Sequence, residues 1–137
     1  MAGLEKLYDK GEKKFADCFG DSVNLDAYLA RGGKLLLDHG TDDPLIPVDG
    51  TIDYYHALLA RYGGEKADAF CRAYITPGDN HGNCWGNGSG ITEKAGMTAL
   101  MDWVENGVAP KALYKVRLNR KTGQVIDEGM QNPYREI

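Results

Sequence analysis

The sequence has little of what marks membrane and nucleic-acid-binding proteins. No apolar run approaches the roughly 20 residues needed to span a bilayer. Charges interrupt the stretch from Met1 to Phe15, which is unlike the continuous apolar core of a signal peptide. The 16 basic and 20 acidic residues give a net charge of −4, whereas a phosphate-binding surface needs concentrated positive charge. We therefore expect neither a membrane nor a nucleic acid as a partner.

Cysteine is also scarce. The three cysteines are Cys18, Cys71 and Cys84, and because their number is odd, at least one is unpaired within a monomer. A disulfide scaffold is therefore not expected, and a reducing cytoplasm is the default location for this chain. The location of a longer protein containing it stays open.

Only two serines are present, and neither lies in the Gly-x-Ser-x-Gly elbow of an α/β-hydrolase nucleophile. Ser22 lies in GDSV, a block shared with GDS-type esterases. Their Asp-x-x-His partner lies near the C-terminus, whereas here it runs from Asp53 to His56 inside a predicted helix. We interpret Ser22 as a turn or cap residue and Ser89 as a loop serine. A GDS-type esterase remains an alternative.

What is present is a composition of 42% hydrophobic and 26% charged residues, typical of a globular protein. We predict a single domain over residues 1–137, with a helical lead-in (1–33), a core (34–110) and a hairpin tail (111–137). In the lead-in, apolar residues at helical spacing predict a helix from Leu4 to Phe19. A short helical turn follows from Leu25 to Arg31.

The core alternates strand and helix. Three consecutive leucines in Lys34 to His39 favour a strand buried on both faces, and Ala69 to Thr76 favours a second strand. The helix between them carries Ile52, Tyr55, Leu59 and Tyr62 on one face and stops at Gly63-Gly64. The next begins at Thr92 as N-cap, with Met97, Leu100, Met101 and Val104 on its apolar face. This order predicts a parallel α/β unit, followed by a hairpin over Tyr114 to Asp127.

Polar side chains follow each predicted strand, where α/β proteins place their sites. The first loop offers His39, Asp42 and Asp43, and the second offers Asp79, His81 and Cys84. An acid followed by a histidine is the chain order of the last two triad members in α/β-hydrolases. The carboxylate would orient the histidine that takes a serine proton. Asp42 remains the alternative to Asp43.

Three segments carry a resemblance to the C-terminal third of the tannase and feruloyl esterase family: GGKLLLDHGTDDPLIPVDGTIDYY, PGDNHG and ALMDWVENGVAP. The resemblance implies a partial α/β-hydrolase fold with parallel strands, flanking helices and a C-terminal β-hairpin. It implies hydrolysis of phenolic-acid esters without a cofactor, with Asp43 and His81 as catalytic acid and histidine. The serine motif, oxyanion hole and lid would lie upstream, so we expect this chain to be inactive alone.

The histidine loop departs from the family, which places a cysteine directly after the histidine. Here Gly82 and Asn83 intervene before Cys84, so the resemblance does not carry the family's disulfide over to Cys84, and the pairing state of this cysteine stays open. Asp79, His81 and Cys84 have a metal-like spacing, but a structural zinc site needs four ligands, and we predict no metal. Trp85 could stack on a substrate or cover the core.

The remaining expectations concern alternatives and association. A non-catalytic binding or assembly module on a hydrolase scaffold is the alternative function. Because a truncated sheet exposes a strand edge, we expect a homo-oligomer through Leu35 to Leu37 or the Leu4 to Phe19 helix, or a complementing N-terminal segment. His39 is expected to satisfy backbone groups, and His56 to be solvated.

Overall fold

The computed structural model describes residues 2–16, 20–82 and 84–135. Its helices are α1 (Ala2–Phe15), α2 (Asp26–Leu29), α3 (Val48–Tyr62), α4 (Gly64–Asp68) and α5 (Glu93–Asn106). Its strands are β1 (Leu35–Gly40), β2 (Cys71–Thr76), β3 (Gly90–Ile91), β4 (Leu113–Leu118) and β5 (Val125–Gln131).

The centre of the fold is the parallel pair β1 and β2, connected through α3 and α4. The register runs from Leu35 opposite Cys71 to Gly40 opposite Thr76, so the predicted strand–helix–strand unit is confirmed. The two carboxyl ends lie side by side. The loops that follow them are therefore brought together at one edge of the sheet.

The expectation that β1 is buried on both faces is wrong. Its three leucines are only half-buried, whereas β2 is mostly buried. The cause is strand pairing: within the described part of the chain, β1 pairs only with β2. The other edge of β2 is covered, because Tyr134 N donates to Ala73 O at 2.7 Å and Gln131 Nε2 donates to Ile75 O at 3.2 Å.

Two hydrophobic clusters form on opposite faces of β2, as expected for side chains that alternate along a strand. Cys71 and Ala73 contribute to the cluster under α3 and α4, whose other buried members are Tyr55, Leu58, Ala67 and Phe70. Tyr74 packs with Ile91 and Leu113 on the other side. Cys71 is fully buried, in agreement with its interpretation as a small apolar core residue.

Helix α5 begins as predicted, but its buried face is different. The Thr92 side chain accepts a hydrogen bond from Ala95 N at 3.1 Å, which confirms the N-cap. Three of the four residues expected to face the core are largely exposed, Met97 by 61%, Met101 by 51% and Val104 by 57%, whereas Leu100 is half-buried. Trp103 is buried instead. The small residues Ala95 and Ala99 of α5 pack against the cluster of Tyr74, Ile91 and Leu113.

The two ends of the chain differ from the expectation in detail. The hairpin of β4 and β5 is confirmed, and the two-residue β3 extends it to a three-stranded antiparallel sheet. The lead-in helix is present to Phe15, whereas its predicted end at Phe19, with Cys18, lies outside the described residues. No helix in the described ranges is long and apolar enough to cross a membrane.

Candidate active site

The loops after β1 and β2 are linked by hydrogen bonds between their backbones and short side chains. Asp42 N donates to Asp79 O at 2.9 Å, and Gly78 N donates to Thr41 Oγ1 at 2.9 Å. The contact is close: a Cβ on Gly40 would lie 2.3 Å from Asp79 O, so only glycine fits there. The close approach brings the acidic residues of one loop to the histidine of the other.

Asp43, and not Asp42, faces His81. His81 Nδ1 lies 2.8 Å from Asp43 Oδ2, so the contact expected from the sequence is present. The Asp43 side chain is 5% exposed and the His81 side chain 52%. Asp42 is turned to another partner, because its Oδ2 accepts from Asn87 Nδ2 at 3.1 Å.

The environment keeps Asp43 ionised. Burial by itself would raise the pKa of this carboxyl, but hydrogen bonds from the Ile46 and Leu45 amides and from His81 lower the pKa to about 2. The two amides both donate to Oδ1, at 3.0 and 2.8 Å. A carboxylate can only accept, so His81 carries its proton on Nδ1 and leaves the Nε2 lone pair available. This is the arrangement in which a histidine accepts a proton at Nε2.

A second histidine lies behind the carboxylate. His39 Nδ1 lies 2.6 Å from Thr51 Oγ1 and its Nε2 lies 3.0 Å from Ile46 O. The bond to the Ile46 carbonyl agrees with the expectation that His39 satisfies backbone groups. In addition, Nε2 lies 3.3 Å from Asp43 Oδ2, a contact that sequence reasoning missed. The spacing of four residues between His39, near the end of β1, and Asp43 was its only signal in the sequence.

Two further carboxyls lie beside the pair, in a cavity of about 230 Å³ whose lining includes Asp38, Asp43, Asp79 and His81. Burial, followed by the charge of Asp79, raises the pKa of Asp38 to about 6. Burial also raises the pKa of Asp79, which is 4% exposed. Sequence reasoning named Asp79 as a polar residue of the second loop and as part of a metal-like spacing, and it did not single out Asp38.

Asp79, His81 and Cys84 do not converge on one point. His81 turns to Asp43, while the Cys84 thiol donates to Gly90 O at 3.3 Å. Among the residues that the structure describes, no group of three or more His, Cys, Asp or Glu side chains is placed to hold a metal ion. Asn83, which separates Cys84 from the histidine, lies outside those residues.

Trp85 is half-buried in the histidine loop. Arg120 secures its backbone, since Nε and Nη2 both donate to Trp85 O, at 2.9 and 2.5 Å. The two serines have other partners. Ser22 Oγ accepts from Asn24 N at 3.3 Å, consistent with a turn residue, and the buried Ser89 donates to Asp127.

The expectation for His56 is wrong, because its ring is half-buried instead of solvated. It packs about 6 Å, centroid to centroid, from Tyr55 and Tyr134. The C-terminal segment that covers β2 supplies Tyr134, and that long-range packing has no signal in the helix pattern around His56.

The sequence of this chain is similar to those of known ester hydrolases. The family model described as tannase and feruloyl esterase matches residues 8–131. A mono(2-hydroxyethyl) terephthalate hydrolase of Piscinibacter sakaiensis is 42% identical over 89 residues, covering 65% of this chain and 14% of that protein. A probable feruloyl esterase of Arthroderma benhamiae is 34% identical over 118 residues, covering 82% and 21%.

Solved structures of esterases have a similar fold over most of this chain. Feruloyl esterase B from Aspergillus oryzae superposes with a TM-score of 0.67 at 25% identity, covering 82% of this chain and 25% of that one. A tannin acyl hydrolase from Aspergillus niger shares the fold, with a TM-score of 0.70 at 24% identity and coverage of 91% and 24%. The chain thus spans 14% and 21% of the length of the two curated relatives. It belongs to the tannase and feruloyl esterase family.

Proposed function

We propose that this chain supplies the acid and the histidine of a serine ester hydrolase, as the C-terminal portion of an α/β-hydrolase fold. The observation that carries the proposal is the 2.8 Å bond between His81 Nδ1 and Asp43 Oδ2. A carboxylate of low pKa, whose side chain is only 5% exposed, holds the histidine in the tautomer that leaves Nε2 without a proton, and the ring itself is half-exposed.

In this proposal the reaction proceeds through an acyl-enzyme. His81 Nε2 takes the proton of a serine hydroxyl as it attacks the ester carbonyl, and the imidazolium then gives that proton to the leaving alcohol. Asp43 stays ionised and stabilises the imidazolium. Water repeats the sequence to release the acid. The serine would come from a segment outside this chain, because both serines here have structural partners.

The proposed substrates are esters of aromatic, and in particular phenolic, acids. The support is indirect: two relatives are named for feruloyl and terephthalate esters, and both are esters of aromatic acids. Trp85 is proposed as a residue that stacks on the aromatic acyl group. No cofactor enters the proposed reaction.

A chimera tests the two catalytic roles. The corresponding segment of the Arthroderma benhamiae relative would be replaced by this chain, and hydrolysis of a ferulate ester measured. His81→Gln and Asp43→Asn should each lower kcat by about 10⁴-fold, whereas Asp42→Asn is the matched control and should keep its activity. A chimera that loses activity with Asp42→Asn and keeps it with Asp43→Asn would overturn the assignment.

The alternative is a binding or assembly module that keeps the scaffold without the chemistry. It is favoured by the engagement of Ser22 and Ser89 away from His81. For the chain alone we expect no ester hydrolysis above buffer and no labelling by a fluorophosphonate. Labelling at either serine would contradict this expectation and would support the hypothesis of a GDS-type esterase. An inactive but folded chimera would favour the binding module.

We further propose that β1 completes its sheet with another polypeptide, either a second copy of the chain or a complementing N-terminal segment. The support is the single strand partner of β1 within the described residues, together with the exposed apolar side chains of α1. Leu4 is 78% and Leu7 72% exposed. Sedimentation at micromolar concentration should show a dimer or larger assembly, and a clean monomer would contradict self-association.

A further inference from the structure

His39 lies near the end of β1 and links this strand to two neighbouring segments through its ring nitrogens. Nδ1 contacts Thr51, in the first part of α3, and Nε2 contacts Ile46, in the loop that carries Asp43. The Ile46 carbonyl can only accept, so Nε2 carries the proton and Nδ1 accepts from the Thr51 hydroxyl. His39 therefore holds the opposite tautomer to His81, although both rings contact the same carboxylate oxygen.

The segment held by His39 controls the direction of Asp43. Residues 41–47 form no helix or strand, so hydrogen bonds must define their shape. Ile46 has two roles in that shape: its N–H donates to Asp43 Oδ1 at 3.0 Å, and its C=O accepts from His39 at 3.0 Å. The two groups lie on either side of the Ile46 Cα, so a bond that fixes the carbonyl restricts the rotation of Ile46 and with it the direction of its N–H. With Oδ1 held by that N–H, Oδ2 is left facing His81.

We propose that His39 is a positioning residue, which holds the turn from Asp43 to Ile46 so that Asp43 Oδ2 faces His81 Nδ1. Thr51 supports it by setting the tautomer in which Nε2 is the donor. The inference rests on the proposed function of the Asp43–His81 pair. Burial is consistent with a fixed ring, since the His39 side chain is only 11% exposed.

The competing explanation is purely structural: His39 would serve to tie β1 to α3 through Thr51. Two substitutions separate these explanations, because each keeps one of the two hydrogen bonds. In His39→Gln the amide nitrogen replaces Nε2 and can still donate to Ile46 O. In His39→Asn the shorter side chain replaces Nδ1 and can still bond to Thr51, but it loses Ile46.

NMR on the complete chain provides two readouts. The first is amide hydrogen exchange at Leu45 and Ile46, relative to the amides of β2. The second is the nitrogen spectrum of His81, which shows whether Nδ1 carries the proton. His39→Asn should lower the relative protection of both amides by about tenfold and reduce the Nδ1–H form of His81. In His39→Gln the relative protection of both amides should stay within about threefold of its value in the unsubstituted chain.

Thr51→Val offers a milder test, in which the hydroxyl is replaced without a change of shape. It should lower the same relative protection, Thr51→Ser should restore it, and Thr98→Val on the exposed side of α5 should have no effect. If His39→Asn keeps the protection and His39→Gln loses it, His39 is a structural tie and the inference is wrong. If His81 in the unsubstituted chain lacks the Nδ1 proton, the proposed function itself fails.

Discussion

Replacing Asp38 by asparagine should stabilise the chain at neutral pH but not in acid. Asp38 lies beside the buried Asp79, and its pKa is raised from an ordinary 3.8 to about 6, first by burial and then by the charge of Asp79. Thr76 Oγ1 opposes this, but at 3.5 Å it is a weak donor. The folded chain therefore resists ionisation of Asp38, and asparagine removes that unfavourable charge.

The direction of the pH dependence of stability follows from the number of protons bound in the folded and unfolded states. Between about pH 4 and pH 6 the folded state holds a proton on Asp38 that the unfolded state has lost, so the free energy of unfolding falls as pH rises through this window. A pKa moved from 3.8 to about 6 corresponds to about 3 kcal/mol for a dry group. Because Asp38 is an exposed residue of β1, solvent screens most of this effect, and we expect a difference of about 1 kcal/mol or less.

Urea denaturation at pH 4 and pH 7 measures this difference. The buried Trp103 provides the fluorescence signal. At pH 7 the free energy of unfolding of Asp38→Asn should exceed that of the unsubstituted chain by up to about 1 kcal/mol. At pH 4 the two free energies should be closer. Asp53→Asn, which removes a charge from an exposed position of α3, controls for net charge. An equal difference at both pH values would refute the reasoning.

Three substitutions test the packing around the site by the same denaturation assay. Gly90→Ala should cost about 1–3 kcal/mol, because its Cβ would lie 2.0 Å from Asp79 Oδ2; an unchanged stability would show that Asp79 moves freely. Gly96→Ala should stabilise α5 by about 0.5–1 kcal/mol, since the nearest atom is 4.0 Å away, and a loss would contradict this. Thr92→Ala should cost about 1 kcal/mol as the N-cap is lost, and no change would mean that water replaces it.

Local signals in the sequence were sufficient for the central unit of the fold. Proline and glycine bound the elements, and the Lys34 to His39 and Ala69 to Thr76 runs became β1 and β2 with small shifts at their ends. The contact between Asp43 and His81 was predicted for the same reason, since parallel strands bring the loops that follow them together. The choice of Asp43 over Asp42 rested on the family resemblance, because local patterns do not show which carboxylate the turn directs inward.

Helix α5 shows where local reasoning fails. Its larger apolar residues, Met97, Met101 and Val104, look like a core-facing stripe, yet the chain packs Trp103 and two alanines inward. Periodicity identifies a face but does not say what lies opposite it. Here Lys34 and Arg72 lie over the Trp103 ring, at 5.3 and 5.2 Å from its centroid. Arg72 lies in β2 and Lys34 directly before β1, so both partners come from parts of the chain that are distant in sequence from α5.

The two halves of the candidate pair are held by different kinds of interaction. Asp43 depends on residues close to it in sequence, from His39 in β1 to Thr51 in α3, so its geometry follows from nearby sequence. The histidine loop depends on the distant strand β4 and the turn after it: Leu118 N donates to Cys84 O at 3.0 Å, Arg117 donates to Asn87 O at 2.7 Å, and Arg120 donates to Trp85 O. These bonds secure the loop just beyond His81, whose own ring is half-exposed. The hairpin tail is therefore part of what holds the candidate site together, although it contributes neither member of the pair.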